Sequence, residues 1–398
     1  MKIAVIGGGA SGIASAIYAK RENKENSVTV FERSDRILKK LLATGNGRCN
    51  LSNICISENN YFSSCPGFVK KVLSAFTPQD ERQFFESLGI LLTEENGRIY
   101  PYSRRANSVL DALRFECEHL GIKIRTNSYI DEVKKAGASF NICGELFDRV
   151  ILSVGANAAP SFGTDGNGLR LLSQLDHSFI KFSDALSPVK VKENTKALKG
   201  IRARAAVSLC CGNEKIRTEV GEVQFTEYGL SGISVMQLSH LCKAESTLLI
   251  DLVLEYSENE LFSMLLSRKK MLSHLNAEDF LTGFLHKSLS SYILSRVGIS
   301  PKKSCADMSQ SDLRVLTNTI KNLSFSFASV IGKEQSQASA GGALLEEFDP
   351  FSLESKKHKG LYCTGELLDA VGDCGGYNLH WAWATAHIAG KNAGGQND

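Results

Sequence analysis

The sequence predicts an α/β fold in which one domain is formed from two chain segments and a second domain is inserted between them. Three observations predict it: a strand, glycine loop, helix and strand at the amino terminus, alternating strand patterns from about residue 188, and a return of the first pattern after residue 341. A chain of 398 residues exceeds one ordinary hydrophobic core, so we expect more than one domain. The 43% hydrophobic and 22% charged residues exclude a disordered, collagen-like or coiled-coil protein.

The charge balance argues against a polyanionic partner. The 46 basic and 43 acidic residues leave a net charge of +3, which favours a small-molecule partner over nucleic acid or an anionic membrane. No run of about 18 apolar residues suggests a membrane span. Met1 and Lys2 lead directly into the strand-like segment Ile3–Ile6 and not into a signal sequence. We therefore expect a cytoplasmic protein.

Eleven cysteines are spread along the chain without a repeated spacing. No CxxC motif occurs, and no cysteines and histidines cluster at the spacing of a zinc site. In a reducing cytosol, most such cysteines are small buried thiols. We expect free thiols and no metal site.

A strand, a glycine-rich loop, a helix and a second strand follow one another in the first 32 residues. The strand Lys2–Ile6 is short and apolar, as a strand buried on both faces should be. The glycine loop 7–12 and the helical run Ile13–Ala19 come next, and the strand Val28–Phe31 ends at Glu32, 20 residues after the last glycine of the loop. This order and spacing predict a βαβ site for a dinucleotide.

Each residue of this motif has a mechanical role. Gly7 permits the tight turn, Gly9 lets the backbone approach a pyrophosphate, and Gly12 lets the helix pack against the strand. The unpaired N–H groups at the start of the helix attract the phosphates. Glu32 can accept hydrogen bonds from the adenosine ribose and would repel a 2′-phosphate, a condition that both FAD and NAD meet.

The carboxy-terminal region favours FAD over NAD. Residues 360–366 read as a strand running into Gly365 and Glu366, and residues 375–379 open the helical stretch 380–390. The acid can bind ribityl hydroxyls, while the start of the helix can stabilise negative charge on a reduced flavin. NAD needs no such second element. The alternative is an ordinary loop acid beside a simple helix entry.

Between the two ends, a basic and glycine-punctuated loop follows the second strand. Gly45 and Gly47 allow the backbone to approach a flat ligand, and Lys40 and Arg48 supply positive charge for a pyrophosphate or a reduced flavin. A solvated basic loop is the alternative.

Cys49 and Cys55 lie in the same loop. A flavin disulfide reductase carries two cysteines with four residues between them at a similar position, whereas five residues separate this pair. The spacing favours two buried thiols over a redox disulfide.

These motifs, taken in order, resemble the FAD-dependent family that includes aminoacetone oxidases and bile-acid (3-oxo-Δ4-steroid) ene reductases. The blocks that carry the resemblance span nearly the whole chain and are Gly7–Gly12, Lys40 with Thr44–Asn50, Arg98–Pro101, Phe225–Thr226 with Gly229–Gly232, Ala340–Gly342, Gly365–Glu366 and Gly375–Trp381. The chain departs from the family pattern at several positions, among them His380, where glutamine is usual, and Glu227–Tyr228, where His-Trp is usual.

The resemblance implies FAD, a Rossmann-type domain in two segments, and an inserted domain. We expect the FAD-binding domain at 1–188 and 338–398, and the insert at 189–337. Within the insert, a β-barrel-like part is expected at 189–255 and 325–337, and helices at 256–324. The residues predicted to bind FAD, from the motifs and the resemblance together, are Gly7, Gly9, Ala10, Ser11, Gly12, Glu32, Arg33, Lys40, Gly45, Gly47, Arg48, Cys49, Asn50, Val133, Gly155, Gly365, Glu366, Gly376, Asn378 and Leu379.

Val133 enters that set through the resemblance, which implies a backbone contact with adenine. It ends the segment Tyr129–Val133, which the apolar pattern predicts to be a strand. In the insert, the alternating patterns predict separate strands at Lys215–Val220 and Glu222–Phe225.

Three functions remain open. The first is a FAD oxidoreductase that reduces an activated C=C bond, such as that of an enone, with NAD(P)H as a transient electron donor; the chain carries no second GxGxxG motif for it. The second is a flavin oxidase that passes electrons from a small amine or amino-ketone to oxygen. The third is a flavin-bearing module that binds RNA or a protein. Candidate proton donors are Tyr377, His380, Tyr228 and Glu227.

Overall fold

The computed structural model describes residues 1–395 and groups them into two compact units. The split unit consists of residues 1–185 and the segment from residue 333, and the inserted unit consists of residues 186–332. The boundaries expected from the sequence were 188/189 and 337/338. Residues 396–398, which end the second segment expected for the FAD domain, lie outside the described residues.

The structure contains 21 strands and 12 α-helices within residues 1–395. The strands are β1 (Lys2–Ile6), β2 (Ser27–Phe31), β3 (Ser52–Asn53), β4 (Tyr61–Phe62), β5 (Leu92–Glu95), β6 (Arg98–Pro101), β7 (Lys123–Arg125), β8 (Lys134–Ala136), β9 (Ser139–Ile142), β10 (Glu145–Phe147), β11 (Arg149–Leu152), β12 (Phe179–Ala185), β13 (Val189–Val191), β14 (Arg202–Cys211), β15 (Glu214–Phe225), β16 (Gly229–Ser231), β17 (Ser246–Asp251), β18 (Leu323–Val330), β19 (Ala338–Ala343), β20 (Leu361–Cys363) and β21 (Val371–Gly372). The helices are α1 (Ala10–Glu22), α2 (Lys39–Ala43), α3 (Pro66–Ala75), α4 (Pro78–Ser87), α5 (Ala106–His119), α6 (Gly168–Gln174), α7 (Ile233–Met236), α8 (Glu258–Met271), α9 (Ala277–Phe280), α10 (Lys287–Arg296), α11 (Gln310–Lys321) and α12 (Tyr377–Gly394).

A parallel sheet of five strands forms the centre of the split unit, in the order β20-β11-β1-β2-β7. β1 is buried from Ile3 to Ile6, and the strand beside β11 at the sheet edge, β20, comes from the second chain segment. The α/β fold with a Rossmann-like sheet built from both ends of the chain is therefore confirmed.

Helices α1 and α12 pack closely against each other in the split unit. A Cβ on Gly390 would lie 2.7 Å from the carbonyl oxygen of Ser15, so the two backbones meet where α12 carries no side chain. Trp381 and Trp383, both on α12, are fully buried. This close packing joins the first and last helices of the unit.

The inserted unit is an antiparallel closed barrel with helices packed against its core. Its strands follow the order β13-β16-β15-β14-β17-β18. The core includes Phe225 and Phe325 from the strands, with Leu265 and Ile293 from the helices. The β-barrel and helical character expected for the insert is confirmed.

Two local expectations are wrong. Residues 129–133 form no strand, because this segment passes along the end of the sheet and its Ile130 carbonyl accepts a hydrogen bond from the Asn167 amide at 2.9 Å. Residues 214–225 form one continuous strand, because Gly221 keeps extended pairing with Ala205 and makes no turn. No helix within residues 1–395 is long and apolar enough to cross a membrane.

A buried histidine holds together the segment that precedes β20. His177 Nδ1 lies 2.7 Å from Glu347 Oε2, and its Nε2 lies 2.8 Å from the Ser355 hydroxyl. Lys357 lies 2.8 Å from the other Glu347 oxygen, and the Ser178 N–H also donates to this carboxylate. Burial raises the pKa of Glu347, but these hydrogen bonds outweigh it and lower the pKa to about 2.

This lowered pKa predicts an acid-sensitive contribution to stability. Because the folded state binds the proton less readily than the unfolded chain, the contribution is complete above the ordinary pKa of 4.5 and is lost as the pH falls toward 2. We expect Glu347→Gln to lower the unfolding free energy by about 1–2 kcal/mol at pH 7 and by much less at pH 3. Urea denaturation at both pH values measures this. The neighbouring exposed Glu346→Gln is the control, and equal losses at both pH values would contradict the prediction.

Candidate cofactor-binding site

The turn between β1 and α1 is shaped by three glycines that do different things. Gly7 has φ +106°, and a Cβ there would overlap the Ser153 carbonyl oxygen. A Cβ on Gly12 would overlap the Gly7 carbonyl oxygen. A Cβ on Gly9 would meet no atom within 4 Å. Gly7 and Gly12 are therefore needed for the packing of the turn itself, while Gly9 leaves open the space into which a phosphate can come.

Glu32 is held at the end of β2 by backbone groups. Its Oε2 accepts from the Gly8 N–H at 2.8 Å and its Oε1 accepts from the Ser34 N–H at 2.7 Å, and the residue is only 9% exposed. It lines the same cavity as Gly7, Gly9, Ala10 and Ser11. Each carboxylate oxygen keeps a second lone pair for a ribose hydroxyl.

Replacing Glu32 by glutamine should weaken FAD binding about tenfold, a loss of roughly 1.4 kcal/mol, because an amide offers one acceptor oxygen where the carboxylate offers two. Titration of the apoprotein with FAD, followed by flavin fluorescence, gives the dissociation constant. Glu25→Gln, on the exposed turn before β2, is the matched control. An unchanged constant in Glu32→Gln would show that the acid does not contact the cofactor.

The cavity continues from Glu32 toward the outer face of the split unit. Arg33 forms an ion pair with Asp165 at 2.6 Å, and its guanidinium lies 5.0 Å from the centre of the Tyr129 ring. All three residues line the cavity, and Ile130 and Thr164 do so as well. Arg33 was predicted, whereas Asp165 was not among the predicted site residues.

Val133 was expected to contact adenine, but the structure places it away from the cavity. It is 2% exposed and does not line the cavity, because the chain turns away after Ile130. Ile130, three residues earlier, does line the cavity. Gly155, which was also predicted, does line the cavity.

An ion pair occupies the middle of the cavity. Lys40 Nζ lies 2.7 Å from Glu366 Oε2, and the Ser339 N–H donates to Glu366 Oε1 at 3.1 Å. Lys40 and Glu366 are 326 residues apart in sequence, so the cavity is built from both segments of the split unit. Both residues line the cavity, together with Thr44, which sequence analysis did not single out.

The start of α12 also lines the cavity. Asn378 and Leu379, in the first turn of the helix, line the cavity as predicted, and Trp381 joins them. Gly376 has φ +105°, and a Cβ there would overlap the Ser52 carbonyl oxygen, so its role is to support the helix entry. The helix start presents its N–H groups and positive dipole end to this part of the cavity.

In the loop after Lys40, the positions of the side chains differ most from those expected from the sequence. Arg48 does not line the cavity: its guanidinium lies 5.0 Å from the Tyr100 ring centre and 3.7 Å from Glu95. A stacking ring and an acid on the neighbouring β5–β6 hairpin draw the side chain away. Four further predicted contacts in this loop also lie outside the cavity lining: Gly45, Gly47, Cys49 and Asn50. Outside this loop, the same is true of the predicted contacts Gly12, Gly365 and Gly376.

Within this loop, Asn50 and the cysteines have distinct environments. Asn50 Oδ1 is buried without a hydrogen-bond partner in the described part of the chain. Cys49 is fully buried, and burial raises the pKa of its thiol to about 12. Cys55 is exposed, which corrects the expectation of two buried thiols, and both cysteines are free. An inert buried thiol beside an exposed one does not make a redox pair.

The structure does not support the prediction that His380 is a proton donor. Its ring is fully buried, with Nδ1 2.6 Å from Glu81 Oε2 and 3.0 Å from Ser52 Oγ, and Nε2 3.2 Å from the Phe76 carbonyl. The ring therefore faces away from Leu379 and Trp381, its cavity-lining neighbours on α12. Burial raises the pKa of Glu81, and the hydrogen bond with His380 opposes this.

The other predicted donors lie outside the cavity lining. Tyr377 is partly buried, and its carbonyl accepts from the Tyr61 hydroxyl at 2.8 Å. Glu227 is in the inserted unit and forms an exposed ion pair with Lys199 at 2.7 Å, which lowers the pKa of its carboxyl. Tyr228 lies beside it, in the turn between β15 and β16. None of these side chains lines the cavity of the split unit.

The cavity residues fit FAD. The Gly9 side is open for a pyrophosphate, Glu32 can bind a ribose, Glu366 can bind ribityl hydroxyls, and the start of α12 can stabilise a reduced flavin ring. A Rossmann-like sheet with a cavity of this kind defines a class of enzymes, the FAD-dependent oxidoreductases, and this protein is one of them.

Within that class, the chain belongs to the HI0933-like family, whose Rossmann-domain description matches residues 1–392. It is 36% identical over 403 aligned residues to the 3-dehydro-bile acid delta(4,6)-reductase of Clostridium scindens, with 98% of each chain covered. It is 28% identical to the ribosomal RNA dihydrouridine synthase of Haemophilus influenzae, with 96% of each chain covered. The resemblance inferred from the sequence motifs is confirmed.

A solved structure shares the fold of this chain. A structure of the Escherichia coli quinol fumarate reductase subunit FrdA matches with a TM-score of 0.51 and 12% identity, covering 99% of this chain and 70% of that one. At this identity, the match shows a shared fold and nothing about the substrate.

Proposed function

We propose that this protein is an NAD(P)H-dependent reductase of a C=C bond conjugated to a carbonyl group, with 3-oxo-4-ene steroids of the bile-acid type as its substrate class. The observation that carries the proposal is the 36% identity, along almost the full chain, to an enzyme named as a delta(4,6)-reductase of 3-dehydro-bile acids. The relatives named for dihydrouridine support the same chemistry, since dihydrouridine differs from uridine by two hydrogens across a C=C bond conjugated to a carbonyl.

The cavity supplies the electrostatics that such a reduction requires. When bound, the flavin supplies the hydride. The positive end of α12 and the Lys40 ammonium favour an electron-rich ring, because both place positive charge along the same cavity. Glu366 partly neutralises Lys40 at 2.7 Å and also orients its ammonium. These groups support reduced flavin without assigning the proton donor.

NAD(P)H is the proposed electron source. The chain has one GxGxxG motif, and Gly7–Gly12 already serves the FAD cavity. The pyridine nucleotide would therefore bind transiently and leave before the substrate enters. This order predicts ping-pong kinetics.

The test is anaerobic and uses the FAD-loaded full chain. NADH or NADPH should bleach the flavin absorbance near 450 nm within seconds, and a 3-oxo-4-ene bile acid should restore it with formation of the saturated product. A saturated 3-oxo bile acid is the control and should leave the flavin reduced. If neither nucleotide reduces the flavin over many minutes, the reductase proposal fails.

The remaining candidates give different outcomes in the same assay. A flavin oxidase would be reduced by a small amine or aminoacetone and not by NAD(P)H, and air would restore the absorbance with formation of peroxide. An enzyme acting on RNA would be reoxidised by a uridine-containing ribosomal RNA fragment and not by the steroid. Either result would replace the steroid as the substrate class.

A further inference from the structure

Gly365, the residue before Glu366, is held by two side chains of α12. Its N–H donates to the Thr385 hydroxyl oxygen at 2.9 Å, and its carbonyl accepts from the Trp381 indole N–H at 3.1 Å. Thr385 is 0% and Trp381 1% exposed. The Gly365 carbonyl also accepts from the Leu368 N–H at 3.2 Å, whereas the Gly365 N–H is bound by Thr385, which fixes the turn relative to α12.

Gly365 also lies against the first turn of α1. It has φ +67°, and a Cβ there would lie 2.5 Å from Ser11 Oγ. Ser11 lines the cavity next to the open side of Gly9, where the pyrophosphate is expected. Gly365 is therefore the point at which the phosphate end of the cavity, the Glu366 turn and α12 meet.

The Thr385 hydroxyl donates into the preceding turn of its own helix. The Trp381 carbonyl accepts at 2.7 Å and the Ala382 carbonyl lies at 3.2 Å, and donation to either leaves a lone pair for the Gly365 N–H. The side chain does not line the cavity, so it acts on the cofactor only through the turn that it holds. The adjacent Glu366 carboxylate does line the cavity and is bound there by Lys40.

We propose that Thr385 is a positioning residue of the FAD site, which fixes Glu366 against the ribityl chain by holding the Gly365 N–H. This proposal rests on FAD binding and deepens that assignment without depending on the substrate. Without the hydroxyl, the Gly365 N–H is buried and unpaired, and the turn that carries Glu366 shifts to recover a partner.

Three variants of the full chain test it. Thr385→Val keeps the shape of the side chain and removes the hydroxyl, and Thr385→Ser keeps the hydroxyl. Thr317→Val is the matched control, because Thr317 is also a buried helix threonine, bonded to the carbonyl four residues earlier at 2.7 Å, but lies in the inserted unit. The readouts are the FAD dissociation constant of the apoprotein and the midpoint potential of the bound flavin.

We expect Thr385→Val to weaken FAD binding about 10- to 100-fold, the equivalent of one buried unpaired donor, and to shift the flavin potential. Thr385→Ser should restore both values, and Thr317→Val should change neither. A purely structural role would lower stability in both valine variants and leave the potential unchanged. Wild-type affinity and potential in Thr385→Val would overturn the proposal.

A double-mutant cycle with Glu366→Ala tests whether Thr385 acts on FAD through Glu366. If Thr385 acts through Glu366, Thr385→Val should weaken FAD binding much less in the Glu366→Ala background than in the wild type. Equal losses in both backgrounds would overturn the proposal. Should the valine variant fail to fold, Thr385→Ala is taken through the same cycle and judged by the same two outcomes. Failure of the enone assay would leave these results untouched, because none of them uses a substrate.

Discussion

Replacing Gly12 by alanine should yield protein without FAD and with lowered stability. The added methyl group would overlap the Gly7 carbonyl oxygen and lie 3.2 Å from Ser153 Cβ, so α1 must move away from the turn at which the pyrophosphate is expected. We expect a loss of about 1–3 kcal/mol in unfolding free energy and at least a 100-fold loss in FAD affinity, about 2.7 kcal/mol. Urea denaturation and the flavin-to-protein absorbance ratio measure the two effects.

Gly9→Ala is the matched variant that separates binding from folding. A methyl group at Gly9 meets no atom within 4 Å, so the unfolding free energy of the apoprotein should stay within about 0.5 kcal/mol of wild type. FAD binding should still fall, because the methyl group occupies the side from which the phosphate approaches. A Gly12→Ala protein that purifies with a full complement of FAD would contradict the site.

Replacing Glu81 by alanine should be the most destabilising single change outside the cavity. Glu81 is 1% exposed, and its carboxylate lies 2.6 Å from the fully buried His380 ring. Nε2 lies 3.2 Å from the Phe76 carbonyl, so both ring nitrogens have buried polar partners. Breaking such a buried pair costs about 3–5 kcal/mol, because the remaining partner stays buried. Denaturation in urea gives the value directly.

The double variant Glu81→Gln with His380→Gln is the control for this pair. Glutamine is the usual family residue at position 380, and two amides can bond each other and Ser52 without a charge. The double variant should recover at least half of the stability lost in Glu81→Ala. A loss below about 1 kcal/mol in Glu81→Ala would show that the pair contributes little beyond packing.

The sequence was sufficient to predict site residues whose positions depend on local geometry. The Gly7–Gly12 loop and Glu32 could be placed because a tight turn, a helix start and a strand end follow each other within 32 residues. Glu366 and Asn378 could be placed because each follows a recognisable strand or opens a helix. In these cases, the neighbours in sequence are also the neighbours in the site.

The failures concern side chains whose direction is set by distant residues. Arg48 was assigned to the cofactor from its charge, but Tyr100 and Glu95, about 50 residues later, draw it to the hairpin. His380 precedes a cavity residue, yet a helix turns about 100° per residue, so adjacent side chains point in different directions. Its partner Glu81 is 299 residues away in sequence. No spacing rule identifies such pairs.

The same contrast between local and distant determinants applies to the secondary structure. The strands β1, β2 and β20 and the helices α1 and α12 were recognised from sequence patterns. The segment 129–133 was misassigned because Tyr129 and Ile130 line the cavity and Asn167 binds the Ile130 carbonyl. Gly221 was interpreted as a break in a strand, but pairing with β14 on one side keeps the strand extended.

Because β20 and α12 both come from the second segment, a ribosome making this chain has to deliver nearly all of it before the coenzyme can be retained. Until then the edge of β11 that pairs with β20 has no partner strand in the nascent first segment. Cellular supply of flavin should accordingly affect the yield of mature enzyme after translation, and not the pace of translation itself.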